Sequence, residues 1–243
     1  QGVDYDKSFS STMRAATFRY LVALAAVEQL FMEHLDVSNA FCQADLDKFS
    51  IHVSAPRGYE NICPHGKCLK LLRALYGTKQ ASYLWQQTLA KYLTSIGFTR
   101  LETDPCVFQR KHNGVTMIVG VYVDDLIILH NSRKVFDEFL AKFMRRFESK
   151  YLGTLEWFLG VHVRRYADGK ISMDQSKYVT DLVEKFFPNA DSTTIRRNIP
   201  YPPDLCRTLG LATNKVEIER MKELPYLEIV GSLLYLTTMT RPD

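Results

Sequence analysis

An apolar run from Val115 to Leu129 contains two adjacent carboxylates within the segment Tyr122-Val123-Asp124-Asp125. β-branched and aromatic residues flank the pair on both sides, which predicts two strands joined by a tight turn. Two unpaired charges inside such a sheet would cost on the order of several kcal/mol. A hairpin that carries both aspartates at its tip avoids this cost. The pattern therefore predicts a hairpin whose carboxylates are neutralised by a metal ion or a basic partner.

Length and composition limit the class of protein. The chain has 243 residues, of which 46% are hydrophobic, enough for one large domain or two small ones. No window approaches the roughly 18 apolar residues of a membrane span. The N-terminus has neither a secretory signal nor an initiating Met, so we expect a piece of a longer polypeptide. Five irregularly spaced cysteines favour reduced thiols and a reducing compartment.

The net charge is +4, with a sequence pI near 8.7. Basic residues occur in clusters, which either follow a phosphate backbone or form solvated surfaces, and only a shared face would favour nucleic acid. These clusters are Lys67, Lys70, Arg73 and Lys79; Lys142, Arg145, Arg146 and Lys150; Arg164 and Arg165; and Arg196 and Arg197.

Apolar spacing predicts four helices, over about 13–30, 84–96, 136–147 and 176–187. Ser10–Thr12 offer N-cap candidates for the first helix, and Gly97 is placed to end the second. Asp137-Glu138 at the start of the third helix and Arg145-Arg146 at its end would both complement the helix dipole.

Predicted strands lie between these helices. Phe31–Val37 and Ile51–Val53 read as strands, and 158–166 and 170–173 flank the hairpin signal Asp168-Gly169. The proline-rich stretch 188–215 reads as a connector. These elements predict an α+β fold with a mainly antiparallel sheet packed on helices, and a division into 1–187 and 188–243.

A third carboxylate, Asp36, ends the strand Phe31–Val37, 88 positions before Asp124 (124 − 36). If both strands belong to one sheet, Asp36 can meet the hairpin tip. Shared carboxylates can hold two metal ions about 3.5–4 Å apart, and Mg²⁺ prefers such hard oxygen ligands. A lone aspartate at a strand end is more often a solvated or capping residue, so this pattern alone leaves both interpretations open.

Another cluster, Cys63-Pro64-His65-Gly66-Lys67-Cys68, has the ingredients of half a zinc site. No second Cys or His pair follows at a suitable distance, so we interpret it as a loop with free thiols. The remaining histidines are scattered and predict no histidine-based mechanism; they include His34, His52, His130 and His162.

Ordered motifs along almost the whole chain resemble those of copia-type LTR retrotransposon reverse transcriptases. Tyr122-Val123-Asp124-Asp125 is similar to their YVDD box, Asp36–Phe41 to their DVxxAF box, and Leu75–Trp85 to their LYGLKQAxxxW segment. Agreement continues at Phe158-Leu159-Gly160, Gln175–Val179, Val230–Leu236 and Arg241-Pro242-Asp243.

The resemblance implies roles for individual residues. Asp36, Asp124 and Asp125 would bind two Mg²⁺ ions, with Mn²⁺ as a possible replacement, and Asp36 and Asp124 would be the main ligands. Phe41 would be the aromatic steric gate against a 2′-hydroxyl, although its residue type alone favours a core position. The rest of the implied nucleotide site is Tyr76, Gly77 and Tyr122.

The same resemblance implies a nucleic-acid interface. Lys79 and Gln80 would meet the template or phosphates where a helix begins. Leu159 and Gly160 would begin the primer grip, with Arg164 on the same hairpin. A plain surface role remains open for Lys79 and Arg164.

In this family the chain would be an RNA-directed DNA polymerase that uses dNTPs and a primed RNA or DNA template. The implied architecture is a palm with partial fingers over 1–187, and a connector with the start of the thumb or connection region over 188–243. The other expected partners are the rest of a Pol polyprotein, namely its fingers segment, RNase H and integrase, with no membrane. The expected location is a cytoplasmic virus-like particle, with the nucleus as the alternative.

Three departures from the family pattern lie outside the aspartates, at Cys42-Gln43, Ser82 and Tyr151. The resemblance also implies that most of the fingers precede this chain, including the basic residues that meet the triphosphate. The rival hypothesis is therefore a non-catalytic, nucleic-acid-binding relic of a retrotransposon. A two-metal nuclease is less favoured, because no further carboxylate motif stands out.

Overall fold

The computed structural model of the protein describes residues 10–46, 50–63, 67–188 and 215–241. Within these ranges the α-helices are α1 (Ala15–Val27), α2 (Ala81–Ser95), α3 (Arg133–Arg146), α4 (Ser176–Phe186), α5 (Lys215–Lys222) and α6 (Tyr226–Met239). None of them is both long enough and apolar enough to cross a membrane.

The strands fall into three sheets, and two short 3₁₀ turns occupy Ala40–Gln43 and Glu60–Ile62. The strands are β1 (Phe31–Val37), β2 (His52–Val53), β3 (Leu69–Lys70), β4 (Thr99–Arg100), β5 (Val107–His112), β6 (Val115–Tyr122), β7 (Asp125–His130), β8 (Ser149–Thr154), β9 (Trp157–Phe158), β10 (Val161–Arg165) and β11 (Ile171–Asp174).

The main sheet has six strands in the order β4-β5-β6-β7-β1-β8, and every neighbouring pair is antiparallel. Smaller sheets have the orders β11-β10-β9 and β2-β3. The predicted hairpin and the predicted bounds of β1 are both confirmed. The fold is mixed α and β, with antiparallel sheets and helices, as the sequence predicts.

Helices cover the main sheet because its central strands are apolar throughout. On one face, α2 and α3 bury a cluster that includes Trp85, Leu89, Phe139 and Phe143. On the other face, α1 and the residue Met13 before it approach closely at Gly120, where an added Cβ would lie 3.0 Å from Leu21 Cδ1 of α1 and 2.8 Å from Met13 Sδ. A larger residue at this point of the strand would displace these side chains.

The chain divides into two compact units. One contains 1–158 and 164–171, and the other contains 159–163 and 172–243. The predicted division at 187/188 is a different one and stays a prediction. Residues 189–214, which form most of the predicted connector, lie outside the described residues, as do residues 64–66 of the cysteine motif. The four described cysteines are free thiols.

The predicted cap of α1 is wrong. The helix begins after Arg14 rather than at Ser10–Thr12, and no side chain of its own caps it. Instead the buried carboxylate of Asp104 accepts hydrogen bonds from the Arg14 backbone N–H at 3.1 Å and from the Thr17 hydroxyl at 2.6 Å. A residue about ninety positions away thus accepts hydrogen bonds from donors at the start of the helix, and local sequence cannot show this.

Two other local predictions need correction. Helix α3 begins at Arg133, one turn before Asp137-Glu138, and Ser132 Oγ accepts a hydrogen bond from the Val135 N–H. The basic pair Arg145-Arg146 does end it. The predicted strand 158–166 is interrupted by a turn at Leu159-Gly160, where both residues have positive φ.

Candidate active site

The turn between β6 and β7 places two aspartates at the tip of the central hairpin. Tyr122 pairs with Asp125, so Val123 and Asp124 form a two-residue turn. Val123 has a φ of 59°, a left-handed conformation that β-branched residues rarely adopt. The buried indole of Trp85 donates a hydrogen bond of 2.6 Å to the Val123 carbonyl. A hydrogen bond from α2 thus holds this strained backbone in place.

Strand β1 brings the third carboxylate to the same place. Asp36 lies directly opposite Asp125 in the antiparallel register, so both side chains point to the same face. The next backbone N–H, of Val37, donates to the Asp124 carbonyl at 2.9 Å. Asp36, Asp124 and Asp125 are all partly exposed at this end of the sheet. Residues 88 positions apart in the chain therefore meet.

The three neighbouring carboxylates disfavour any further negative charge at this site. Partial burial raises the pKa of Asp124, and the neighbouring carboxylates Asp125 and Asp36 raise it further. A cation bound there would relieve both effects. The oxygen-only chemistry of three carboxylates fits a hard divalent ion. In the described part of the chain, however, no three His, Cys, Asp or Glu side chains stand arranged to hold a metal.

Two aromatic rings lie beside the carboxylates. Phe41 and Tyr76 pack with ring centroids 4.5 Å apart. The pKa of Tyr76 is raised by burial and then by the charge of Asp124, which places its hydroxyl within the field of the aspartates. Gly77 follows with a φ of 90°, in the region that glycine tolerates. Of the predicted nucleotide-site residues, Tyr76 and Tyr122 are therefore near the aspartates, Phe41 packs on Tyr76, and Gly77 follows Tyr76 in the chain. Their contact with a nucleotide stays a prediction.

An apolar cavity of about 70 Å³ lies behind the turn and is lined by Phe41, Trp85, Val123 and Cys106, among others. Burial raises the pKa of the Cys106 thiol to about 11, so the thiol stays protonated at neutral pH. Phe41, which lines the cavity, is also the ring that packs on Tyr76.

Gln43 fastens the turn that carries Phe41. Its side-chain Nε2 donates to the carbonyls of Ser38 at 2.6 Å and Glu148 at 2.8 Å, and its Oε1 accepts from the Glu148 N–H at 2.9 Å. These bonds link the Ala40–Gln43 turn to the residue before β8. The departure from the family pattern at Gln43 therefore has a structural purpose that sequence analysis missed.

The predicted nucleic-acid residues differ in exposure. Lys79 is exposed just before α2, whereas Gln80 is only 5% exposed, so direct contact with a template stays a prediction for Gln80. Arg164 is exposed. Its neighbour Arg165 instead donates two hydrogen bonds, to the carbonyls of Ala25 and Leu30, and so has a structural role.

In the second unit, Leu159 and Gly160 form a tight turn with φ values of 50° and 71°. The Tyr235 hydroxyl of α6 donates a hydrogen bond to the Leu159 carbonyl. The predicted primer-grip turn is therefore held by the C-terminal helix of its own unit.

Sequence analysis also missed His34 and Trp85. His34 Nε2 lies 3.0 Å from Asp125 Oδ1, although its sequence context indicated no role. One signal was available: His34 precedes Asp36 by two residues on a strand, so both side chains share a face. Trp85 was part of a matched motif, but only the fold shows that its indole is hydrogen-bonded to the turn that carries Asp124.

Comparison with known proteins agrees with this geometry. Residues 1–197 match the family model described as "Reverse transcriptase (RNA-dependent DNA polymerase)". The whole chain is 31% identical to Pol polyproteins of transposon TNT 1-94 from Nicotiana tabacum and of transposon RE1 from Arabidopsis thaliana, spanning 18% and 16% of their lengths. A putative transposon Ty5-1 protein of Saccharomyces cerevisiae is 28% identical over 86% of the chain and 65% of its own length. The chain therefore belongs to the reverse transcriptase family found in the Pol polyproteins of copia-type retrotransposons.

Proposed function

We propose that the chain catalyses RNA-directed DNA synthesis, the transfer of a nucleotide from a dNTP to a primer 3′-hydroxyl. The primer oxygen forms a bond to the α-phosphorus, the bond from that phosphorus to the bridging oxygen breaks, and pyrophosphate leaves. The observation that carries the proposal is the β1–β7 register, which sets Asp36 opposite Asp125 and binds Val37 to Asp124.

The three aspartates are the residues that would hold the metal. When bound by Asp36, Asp124 and Asp125, two Mg²⁺ ions, or Mn²⁺ in their place, would favour loss of the primer hydroxyl proton and offset the charge of the departing pyrophosphate. Burial raises the pKa of Asp124, and the charges of Asp125 and Asp36 raise it further, so a cation bound among the three would favour its ionised form. This supports the assignment.

The protein's own residues would orient the nucleotide. Phe41, packed on Tyr76, would present an aromatic face that leaves no room for a ribose 2′-hydroxyl. Gly77 would allow the backbone to approach the nucleotide, and Tyr122 would lie near the primer end. The bond from Trp85 keeps the aspartate turn in place, so little reorganisation is needed during the reaction.

Lys79 and Gln80 would meet the template or phosphates, Leu159 and Gly160 would begin the primer grip, and Arg164 would meet a nucleic-acid backbone. The TNT 1-94 and RE1 polyproteins are many times longer than this chain, and we propose that the remaining Pol domains act with it. The palm, fingers and thumb assignments and a location in a cytoplasmic virus-like particle, or alternatively the nucleus, belong to the same proposal.

Primer extension on poly(rA)–oligo(dT) with Mg²⁺ or Mn²⁺ tests this function. We expect extension by the wild type and a loss of at least about 10³-fold in Asp124→Asn, because the substitution removes a charge from the metal-binding set. Asp137→Asn, which changes an exposed aspartate on α3, is the matched control and should extend normally.

Two results would contradict the proposal. Full activity in Asp124→Asn would remove the site assignment. Template–primer binding without extension by the wild type, in either metal, would favour the alternative of a non-catalytic, nucleic-acid-binding relic.

A further inference from the structure

The side chain of His34 is packed against the aspartate cluster in a fixed orientation. It is 13% exposed, and its Nε2 lies 3.0 Å from Asp125 Oδ1. On its other side the imidazole meets Phe158 edge-on, with ring centroids 5.6 Å apart and planes at 72°. Phe158 is itself buried against Phe18. An aromatic wall therefore supports the ring while its nitrogen faces the carboxylate.

The strand register explains why the two groups meet. His34 lies opposite Ile127, and Asp36 lies opposite Asp125, so His34 is the diagonal neighbour of Asp125 on the same face. A carboxylate oxygen accepts hydrogen bonds and has none to donate, so Nε2–H of His34 is the donor. The bond spans 91 positions of sequence.

The neighbouring aspartates are held differently. Within the described ranges, no side chain is hydrogen-bonded to the carboxylate of Asp36 or Asp124, whereas Asp125 has a dedicated donor. Two adjacent residues of one turn thus have unlike environments. The Asp124 carboxylate is not oriented by any described side chain, whereas the Asp125 carboxylate is oriented by His34.

We propose that His34 is a positioning residue that fixes the carboxylate of Asp125 for metal binding. This inference rests on the proposed function and assigns a task within it. A donor on one oxygen restricts rotation of the carboxylate and leaves its second oxygen available. Partners of this kind around metal ligands typically contribute about 10–100-fold in metal affinity or activity.

Mn²⁺ binding to the full chain without nucleic acid, measured by electron paramagnetic resonance, tests the proposal. We expect His34→Leu, which keeps the bulk and removes the donor, to weaken Mn²⁺ binding about tenfold or more. His34→Gln restores an N–H donor and should bind within about threefold of the wild type. His112→Leu, at the exposed far end of the same sheet, is the matched control and should bind normally.

The Asp124→Asn variant separates the two ideas. If Asp124→Asn loses Mn²⁺ but His34→Leu binds like the wild type, the aspartate site stands and the role of His34 is overturned. If His34→Gln binds as weakly as His34→Leu, the donor is not the relevant feature and the proposal also fails. If the wild type binds no Mn²⁺, the metal site of the proposed function fails and the task of His34 fails with it.

A spectroscopic measurement keeps the proposal testable if His34→Leu does not fold. Long-range ¹H–¹⁵N spectra of the histidine rings report which nitrogen carries the hydrogen. We expect His34 to show a single Nε2–H form in the wild type and in Asp137→Asn, and a mixture of forms in Asp125→Ala. An unchanged His34 signal in Asp125→Ala would show that the bond does not exist.

Discussion

The carboxylate of Asp124 is a less favourable anion in the folded chain than in water. It is partly buried, and its pKa is raised by that burial and by the charges of Asp125 and Asp36. A folded-state pKa above the unfolded value means that the native state binds more protons in that interval. Folding stability is therefore lost as pH rises through the interval between the two pKa values. At neutral pH the ionised carboxylate destabilises the folded state.

We accordingly expect Asp124→Asn to raise the melting temperature at pH 7 in the absence of divalent metal. The expected rise is small, about 1–3 °C for a domain of this size, because Asp124 is partly exposed and solvent screens its interactions. Thermal unfolding with and without Mg²⁺ checks this, because metal should stabilise the wild type and close the difference. A variant that melts below both the wild type and Asp137→Asn would contradict the argument.

A second cluster surrounds the buried carboxylate of Glu33, which faces away from the aspartates. It accepts hydrogen bonds from the Tyr151 hydroxyl at 2.6 Å and from Arg133 Nη1 at 3.1 Å. Tyr151 was a departure from the family pattern, and its hydroxyl is the partner that this carboxylate needs. His130, fully buried beside Glu33, stacks on Phe136.

Burial lowers the pKa of His130, and the nearby Glu33 opposes this shift without cancelling it. With the folded pKa below the unfolded one, the unfolded chain binds more protons in the window below about pH 6.5. Stability is therefore lost as pH falls below about 6.5, by up to about 1.4 kcal/mol per pH unit. His130→Phe should flatten this part of a urea-unfolding series against pH. An equal slope in the variant and the wild type would contradict it.

At the scale of elements, the turn between β6 and β7 depends on helix α2. Trp85→Phe keeps an aromatic ring and removes the indole donor to Val123. We expect kcat for primer extension to fall about tenfold, since one hydrogen bond contributes about 1–1.5 kcal/mol and the turn carries the aspartates. Circular dichroism should show an unchanged fold.

Tyr92→Phe provides the matched control, because it removes a polar atom from the same helix. Both Tyr92 and Trp85 pack edge-on against Phe147, and the buried Tyr92 hydroxyl has no hydrogen-bond partner in the described structure. This variant should keep full activity and be as stable as the wild type or more so. Equal losses in both variants would show that packing of the helix, rather than the indole bond, supports the turn.

The sequence was sufficient for elements defined by local pattern. Strand-forming residues and turn chemistry predicted the β6–β7 hairpin, β1 was predicted with its correct bounds, apolar spacing predicted α2, and the basic pair Arg145-Arg146 predicted the end of α3. The features that the sequence did not predict depend on hydrogen-bond partners that lie far away along the chain. Asp104 caps α1 from 90 positions away, and Gln43 binds the Glu148 backbone from 105 positions away. His34 belongs to the same class, because only the register of β1 against β7 shows its partner.

At the scale of the whole molecule, each of the two units is built from two separate stretches of the sequence. The segment 159–163 groups with residues after 172, although the chain before and between them belongs to the other unit. Within this second unit, the Tyr235 hydroxyl holds the Leu159 carbonyl, and Thr240 donates to Gln175 Oε1 at 2.7 Å. Helices α4 and α6 are also joined by the ion pair of Lys185 with Glu228. The predicted domain 1–187 would lack α6 and with it all three partners.

We therefore expect a chain ending at residue 187 to lose order at the predicted primer-grip turn. Hydrogen exchange of 159–163 and of α4 should be at least about tenfold faster than in the full chain, because their tertiary contacts are absent. Exchange in β6 and β7 should be unchanged. Tyr235→Phe in the full chain is the control for one lost bond, and it should affect the turn at Leu159 while leaving α4 protected. If 159–163 exchange equally slowly in the shorter chain, then 1–187 is an independent domain and the turn does not need α6.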